Sequence, residues 1–312
     1  MLRCQEGLRK RSPAIDGYND EMKNITACLQ GGLGNQAFIY AAARALALRT
    51  GAELSFCGDY FLEDRIYRRS LSLDAFCCFL GDVNVHCKLV RLAELARYRL
   101  LRDYISRLGN YYCDRRPFKF RPFPEEWRGT LTLDGYWQSE RYFADVRREI
   151  SADFTLRDAS WLDQDPLAAK IRGAENPVFL HVRSYKDIPG KEDGSRALKN
   201  IIYYRNALDY LKGVLPRATV FVFSDDVEWA KANVVRETPC FRFVYGNPDS
   251  SQLRDFMLMR LCQHSIAANS SYSWWASWLG EQEHGGIRIR LGKRVMNDDF
   301  WPERWIAISR EG

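Results

Sequence analysis

The sequence has no run of about 18 apolar residues, the length that crosses a bilayer as a helix, so no segment reads as a membrane span. Its first 21 residues are polar and charged with no apolar stretch, and do not read as a secretory leader. Histidine is scarce, at four of 312 residues. The nine cysteines form no Cys-x-x-Cys pair and no Cys/His spacing that suits a metal. An odd cysteine count without a leader fits reduced thiols in a cytoplasmic protein better than a disulfide framework. The expectation is therefore a chain with no bound metal and no cofactor. Internal repeats and low-complexity tracts are missing too, which excludes solenoids and biased linkers.

What is present is ordinary for a globular protein: 46% apolar residues and 28% charged. The length allows two domains, each with its own core. A net charge of +6 leans toward anionic ligands or a membrane surface and is too mild to indicate nucleic acid by itself. Residues 1–21 read as a disordered extension. Met22, followed by Lys23, Asn24 and an apolar strand, reads as the domain start.

Residues 25–29 read as a strand, Gln30-Gly31-Gly32-Leu33-Gly34-Asn35-Gln36 as a glycine turn, and 37–49 as an Ala- and Leu-rich helix. This βα unit aims a helix N-terminus at the strand's carboxyl end, where backbone N–H groups suit an anion. The loop lacks the Lys-Ser/Thr of a P-loop and does not match G-x-G-x-x-G in register. Residues 53–56 read as a second strand. Residues 57–123 then lose periodicity, apart from helical pieces near 90–108. That region carries Arg97, Arg99, Arg102, Arg107, Arg115, Arg116 and Arg121. A solvated basic helix face is the bland reading, and peripheral contact with anionic lipid or an acidic glycan is the functional one. Residues 131–143 read as a strand leading into a Gly-marked turn and an aromatic cluster, which suits either a core or a sugar.

From about residue 175 strands and helices alternate: strands at 178–182, 219–223, 241–244, 265–268 and 287–291, helices at 201–211, from 227, at 251–263 and at 272–279. That alternation predicts an open parallel sheet. Three strands end in polar clusters: His181 with Arg183, then Ser224-Asp225-Asp226, then Asn269-Ser270-Ser271. All three would lie along one carboxyl edge, where open α/β sheets bind ligands. Two apart on a strand, His181 and Arg183 would project to one side. An Arg there is costly to bury unless an anion meets it. Its planar fork fits phosphate or carboxylate, although pairing with a structural Asp is the bland alternative. Asp226 or Ser271 could equally be plain N-caps. Together an Arg, a carboxylate pair and a Ser pair suggest a nucleoside diphosphate, with a carboxylate accepting from the N–H edge of guanine.

Four blocks carry a resemblance: Gly31-Gly32-Leu33-Gly34-Asn35-Gln36-Ala37-Phe38, Gly135-Tyr136-Trp137-Gln138-Ser139-Glu140, Phe223-Ser224-Asp225-Asp226 and Asn269-Ser270-Ser271-Tyr272-Ser273-Trp274-Trp275-Ala276. Their order and content, from Met22 to about Leu291, resemble the bacterial-type α1,2-fucosyltransferases of glycosyltransferase family 11. The resemblance implies an α/β, GT-B-like fold: two Rossmann-type domains facing a cleft, an acceptor-side domain over 22–160 and a GDP-fucose-binding domain over 161–312. It implies an inverting transfer of L-fucose from GDP-β-L-fucose to the 2-hydroxyl of a galactose-terminated glycan without a metal. A lipid-linked unit of a bacterial surface polysaccharide such as O-antigen is the expected acceptor, handled at the inner face of the plasma membrane. On this chain it implies donor-binding roles for His181, Arg183, Ser224, Asp225, Asp226, Asn269, Ser270, Ser271 and Tyr272, with Arg183 on the β-phosphate and Asn35 reaching across the cleft.

The chain departs from the family's His-x-Arg-Arg-Gly-Asp-Tyr pattern, since Ser184-Tyr185-Lys186-Asp187 follows Arg183. A second arginine is missing there. A base for the acceptor hydroxyl is not fixed by the sequence; Asp187, Glu192 and Asp193, in a loop that could close over the cleft, are the candidates. Two rival readings stay open. One is a non-catalytic nucleotide- or glycan-binding module of the same fold, and the other a nucleic-acid binder built on the Arg-rich stretch.

Overall fold

In the computed structural model two parallel sheets carry the chain. The structure describes residues 23–65, 67–81, 83–84, 110–114, 118–184, 200–235, 240–245, 251–292 and 299–310. Several expectations lie outside these residues: the extension at 1–21, the helical pieces near 90–108 with Arg97 to Arg107, Arg115 and Arg116, and the loop holding Tyr185, Lys186, Asp187, Glu192 and Asp193. Among the described residues no helix is long and apolar enough to cross a membrane.

The first sheet runs in the order β3-β2-β1-β5-β4, with β1 at Asn24–Cys28, β2 at Glu53–Cys57, β3 at Val83–Asn84, β4 at Tyr111–Cys113 and β5 at Thr130–Asp134. Ile25 sits opposite Leu54 on one side and Leu131 on the other. The second runs β11-β10-β9-β6-β7-β8, from β6 at Pro177–Val182, β7 at Ala218–Ser224, β8 at Phe241–Tyr245, β9 at His264–Ile266, β10 at Arg288–Leu291 and β11 at Ile306–Ile308. Among the described residues every ladder between these strands is parallel, and Phe76 and Leu156 form an isolated antiparallel bridge outside them. The central strands β6 and β7 are largely apolar runs, broken in β6 by His181 and in β7 by Thr219, because parallel strands are covered on both faces. In the second sheet the chain steps out from β6 in both directions, to β7 and β8 and then to β9, β10 and β11, which leaves a topological switch point between β6 and β9. In the first sheet it steps from β1 to β2 and β3, crosses to the far edge at β4, and returns to β5 beside β1.

Among the described residues the α-helices are α1 at Leu33–Thr50, α2 at Asp59–Glu63, α3 at Arg147–Asp153, α4 at Ser160–Gln164, α5 at Pro166–Arg172, α6 at Ile201–Val214, α7 at Val227–Asn233, α8 at Gln252–Arg260 and α9 at Ser271–His284. Helix α1 begins four residues earlier than the Ala-rich run suggests. Gly31 turns the chain at φ +75, and the Gly32 carbonyl accepts from the N–H groups of Asn35 and Gln36. Leu33, Gly34 and Asn35 therefore belong to a helix's first turn and not to a loop. Thirteen of its eighteen residues are buried, as expected of a helix apolar nearly all round.

What covers α1 is α9. Phe38 meets Trp274 and Trp275 at ring separations of 4.4 and 5.2 Å, and Phe143 stacks on Trp275 at 5.3 Å. One apolar cluster thus extends from Ile25 through Phe38 and Phe143 to Trp278 and Trp305, so both sheets share an aromatic layer. A second cluster fills the space around β6, β7 and α6. The aromatic residues after β5 settle as core: Trp137, Tyr142 and Phe143 are buried. The C-terminal segment is fastened across this layer. Arg304 pairs with Glu140 at 2.6 Å and with Glu281 at 2.7 Å.

Candidate active site

Strands β6, β7 and β9 are neighbours, so their carboxyl ends do bring the three polar clusters together. They open onto a cavity of about 450 Å³ whose other wall is the start of α1. Gly32, Leu33, Gly34 and Asn35 line it from one side; His181, Arg183, Asp225, Ser270, Ser271 and Tyr272 line it from the other. A smaller cavity of about 340 Å³ beyond β4 is lined by Asp114, Lys119 and Trp137, among others, and holds none of the residues singled out for catalysis or donor binding.

Strand β6 ends at Val182, so Arg183 lies just past the ladder and not within it. Its Nη1 donates to Asp225 Oδ2 at 2.8 Å, while Asp225 Oδ1 accepts the Ser184 N–H at 2.7 Å. Asp225 thereby fixes both the guanidinium and the turn that presents it. The Arg183 and Asp225 side chains keep 21% and 17% of their surface exposed, so the pair faces the cavity and is not sealed in the core. Asp226 differs from its neighbour: Oδ1 caps α7 by accepting from the Trp229 N–H at 2.9 Å, and it does not line the cavity. Ser224 Oγ accepts the Asp226 N–H and shapes that turn.

At β9, Ser270 is the N-cap of α9 and its Oγ accepts from the Tyr272 N–H. Asn269, half-buried, precedes it outside the cavity lining. Ser271 has a different task. Its Oγ donates to Asn35 Oδ1 at 2.7 Å, and Gln138 Nε2 donates to the same oxygen at 2.8 Å. Asn35 thus links the carboxyl ends of both sheets, Gln138 following β5 and Ser271 following β9. Two helix N-termini, those of α1 and α9, border one cavity, and the positive ends of their dipoles favour an anion there.

His181 is buried beneath Arg183, with its ring 5.6 Å from Tyr272. Burial, with the nearby Arg183 charge, lowers its pKa to about 4, so it is neutral at pH 7. His264 is lowered to about 4 as well, by burial and by Arg288. Its Nδ1 accepts the Ile287 N–H at 3.0 Å, which a proton on that nitrogen would oppose. Both folded-state values lie below the ordinary 6.5, so the unfolded chain binds more protons between roughly pH 6.5 and 4. This contribution is complete above pH 6.5 and declines as pH falls toward 4. Melting temperature should drop across that window, and less steeply in His264→Gln, which keeps an acceptor without a titrating ring. Parallel pH profiles in the two proteins would exclude His264 as a cause.

Sequence reasoning missed three lining residues: Arg69, Gln252 and Asp255. Arg69 lies in the stretch without periodicity, and the other two open α8, whose pattern signals only packing.

The model of glycosyl transferase family 11 matches residues 110–303, well over half of the chain. The chain belongs to glycosyl transferase family 11. An Escherichia coli alpha-1,2-colitosyltransferase is 29% identical over 307 residues, covering 93% of this chain and all of that one. The O-antigen biosynthesis glycosyltransferase WbnK of Escherichia coli is 29% identical over 274 residues, 82% of this chain and 90% of its own. A galactoside alpha-(1,2)-fucosyltransferase 1 of Saimiri boliviensis boliviensis is 26% identical over 200 residues, 58% of this chain and 53% of the primate protein. Among solved structures, a mutant of Arabidopsis thaliana FUT1 in complex with GDP superposes with TM-score 0.54 at 13% identity, over 92% of this chain and 76% of that one. The fucosyltransferase NodZ from Bradyrhizobium gives 0.50 at 18%, over 88% and 96%. The fold is GT-B-like, and the family 11 protein is a fucosyltransferase-like glycosyltransferase.

Proposed function

We propose that this family 11 protein moves a 6-deoxyhexose, L-fucose in the first instance, from its GDP ester to the 2-hydroxyl of a terminal galactoside, with inversion. The observation that carries the reading is the convergence of Arg183 and the N-termini of α1 and α9 on one cavity. Departure of a nucleoside diphosphate builds negative charge on its β-phosphate, and donors already in place stabilise that charge without reorganising. Arg183 is assigned to the β-phosphate. The guanine edge, which donates through N1–H and its 2-amino group, is assigned to the cavity carboxylate Asp255, since both oxygens of Asp225 serve Arg183 and the Ser184 N–H. Names among the relatives support α1,2 linkage, a galactoside acceptor and a role in O-antigen synthesis, and they raise colitose as a second sugar. A lipid-linked acceptor would place the work at the inner face of the plasma membrane.

The test is transfer from GDP-fucose and from GDP-colitose to a panel of galactose-terminated disaccharides, with linkage read by NMR. A site that hydrogen-bonds the fucose 3-hydroxyl rejects the sugar lacking it by far more than a methylene's worth, because buried partners are left unmatched. Product from neither donor would leave the binding-module reading, which the uncharged Ser184 after Arg183 favours. The charge stabilisation assigned here comes from side chains and helix ends, so turnover is expected to persist in excess chelator. Loss of activity in chelator, restored by a divalent ion, would overturn that assignment.

A further inference from the structure

Arg183 shares its charge with Asp225 at 2.8 Å, and His181 beneath it is neutral. Ser184, where the family pattern has a second arginine, is uncharged and its side chain is buried. The second guanidinium lining the cavity comes from the opposite wall. We propose that Arg69, in the segment between α2 and β3, binds the leaving diphosphate from the acceptor side of the cleft. The assignment rests on the reading of the cavity as a site for a nucleoside diphosphate sugar.

The placement of Arg69 carries the inference. Gly32 caps α1, and a Cβ there would lie 3.8 Å from Arg69 Nη1 and 3.9 Å from its Cζ. The guanidinium therefore rests over the first turn of an 18-residue helix whose Gly32 N-cap has no side-chain cap. A cation at the positive end of a helix dipole is unfavourable by itself, and becomes favourable when an anion meets both. The same missing Cβ would lie 3.9 Å from Gln252 Nε2 on the other wall, so Arg69 stands where the two walls approach.

The segment is also held ready. Gln36, fully buried, donates from Nε2 to the carbonyls of Gly31 and Ser70, each at 2.9 Å, and accepts the Ser72 N–H at 2.8 Å. One side chain thus ties the glycine turn to the residues that follow Arg69. From the other side Asp64 accepts the N–H groups of Tyr67 and Arg69 at 2.9 and 3.0 Å. These bonds fix the backbone that carries the guanidinium before any ligand arrives, which is the preorganisation that charge stabilisation requires. Gln36 is accordingly a positioning residue.

Calorimetric binding of GDP and of GMP to the full chain separates the contact from its alternatives. Arg69→Ala should weaken GDP roughly 10- to 100-fold, the loss when a hydrogen bond to a charged group is removed, and GMP much less. Slow hydrolysis of GDP-fucose without acceptor should fall by a similar factor, while the acceptor KM stays unchanged. Arg69→Gln, read beside a thermal melt, repeats the measurement in a side chain of similar reach, and Arg69→Lys should recover only part. Unchanged GDP affinity and hydrolysis in Arg69→Ala and Arg69→Gln, with wild type binding GDP, would overturn the proposal. A raised acceptor KM with unchanged GDP binding would do so too, and would move Arg69 to the acceptor. Failure of wild type to bind GDP at all would instead remove the nucleotide reading on which the assignment stands.

Discussion

Arg183→Ala is expected to lower turnover by about a hundredfold or more, the scale seen when a donor to a developing transition-state charge is removed. The effect should fall on kcat more than on the donor KM, since the charge on the β-phosphate grows as the bond to the sugar breaks. Arg183→Lys should rescue poorly, because an ammonium cannot hold Asp225 and a phosphate oxygen in one planar fork. The ion pair with Asp225 makes a competing account concrete: Arg183 as structure only. The geometry separates the two. Both side chains are partly open to solvent, and exposed pairs contribute at most about 1 kcal/mol to stability. Asp225 also keeps the Ser184 N–H when the guanidinium is gone. Melting temperature should therefore move by only a few degrees. A large fall in melting temperature together with activity would assign Arg183 to the fold; full activity in the alanine variant would remove it from the mechanism.

The sheet that holds Arg183 was legible because a parallel strand buried on both faces is a short apolar run, and β6 and β7 stand out as such. Polar residues at the ends of such runs are conspicuous, and His181, Arg183, Asp225 and Ser271 stand out in the sequence for that reason. Short edge strands carry no such signature. The two- and three-residue strands β3, β4 and β11 are fixed by their ladders and have no sequence signal, and the last strand expected at 287–291 is the last but one. Adjacent residues with one chemistry could not be divided either. Asp225 meets Arg183 whereas Asp226 caps α7, and only the twist of the turn decides between them. Arg69 was beyond reach for another reason. Its place over Gly32 depends on Gln36 binding a carbonyl 34 residues away, a non-local bond with no local pattern. The aromatic cluster after β5 shows the reverse hazard: its residues suit a sugar or a core equally well in sequence, and Trp137, Tyr142 and Phe143 are buried core.

Gly34→Ala is expected to damage both activity and stability, although it adds one methyl group to a helix. Alanine suits a helix better than glycine, and Gly34 does not have a left-handed backbone, so conformation alone would favour the change. Space decides otherwise. A Cβ at Gly34 would lie 2.4 Å from the Ser271 carbonyl carbon, 2.5 Å from the Tyr272 nitrogen and 2.6 Å from the Ser271 oxygen. These are backbone atoms of the first turn of α9 and cannot swing aside as a side-chain end would. Relief requires α1 and α9 to separate by roughly 1 Å, and overpacking of this kind costs about 1–3 kcal/mol. The separation would stretch the 2.7 Å bond from Ser271 to Asn35 and draw apart the two helix N-termini that border the cavity. Misplacement on that scale can lower a rate about a hundredfold. Gly213→Ala supplies the contrast, since within α6 a Cβ there meets nothing inside 4 Å and should be neutral or mildly stabilising. Turnover of Gly34→Ala should fall at least tenfold below that of Gly213→Ala, with a lower melting temperature. Equal behaviour of the two variants would show that α1 and α9 yield freely, and that the site does not depend on their close approach.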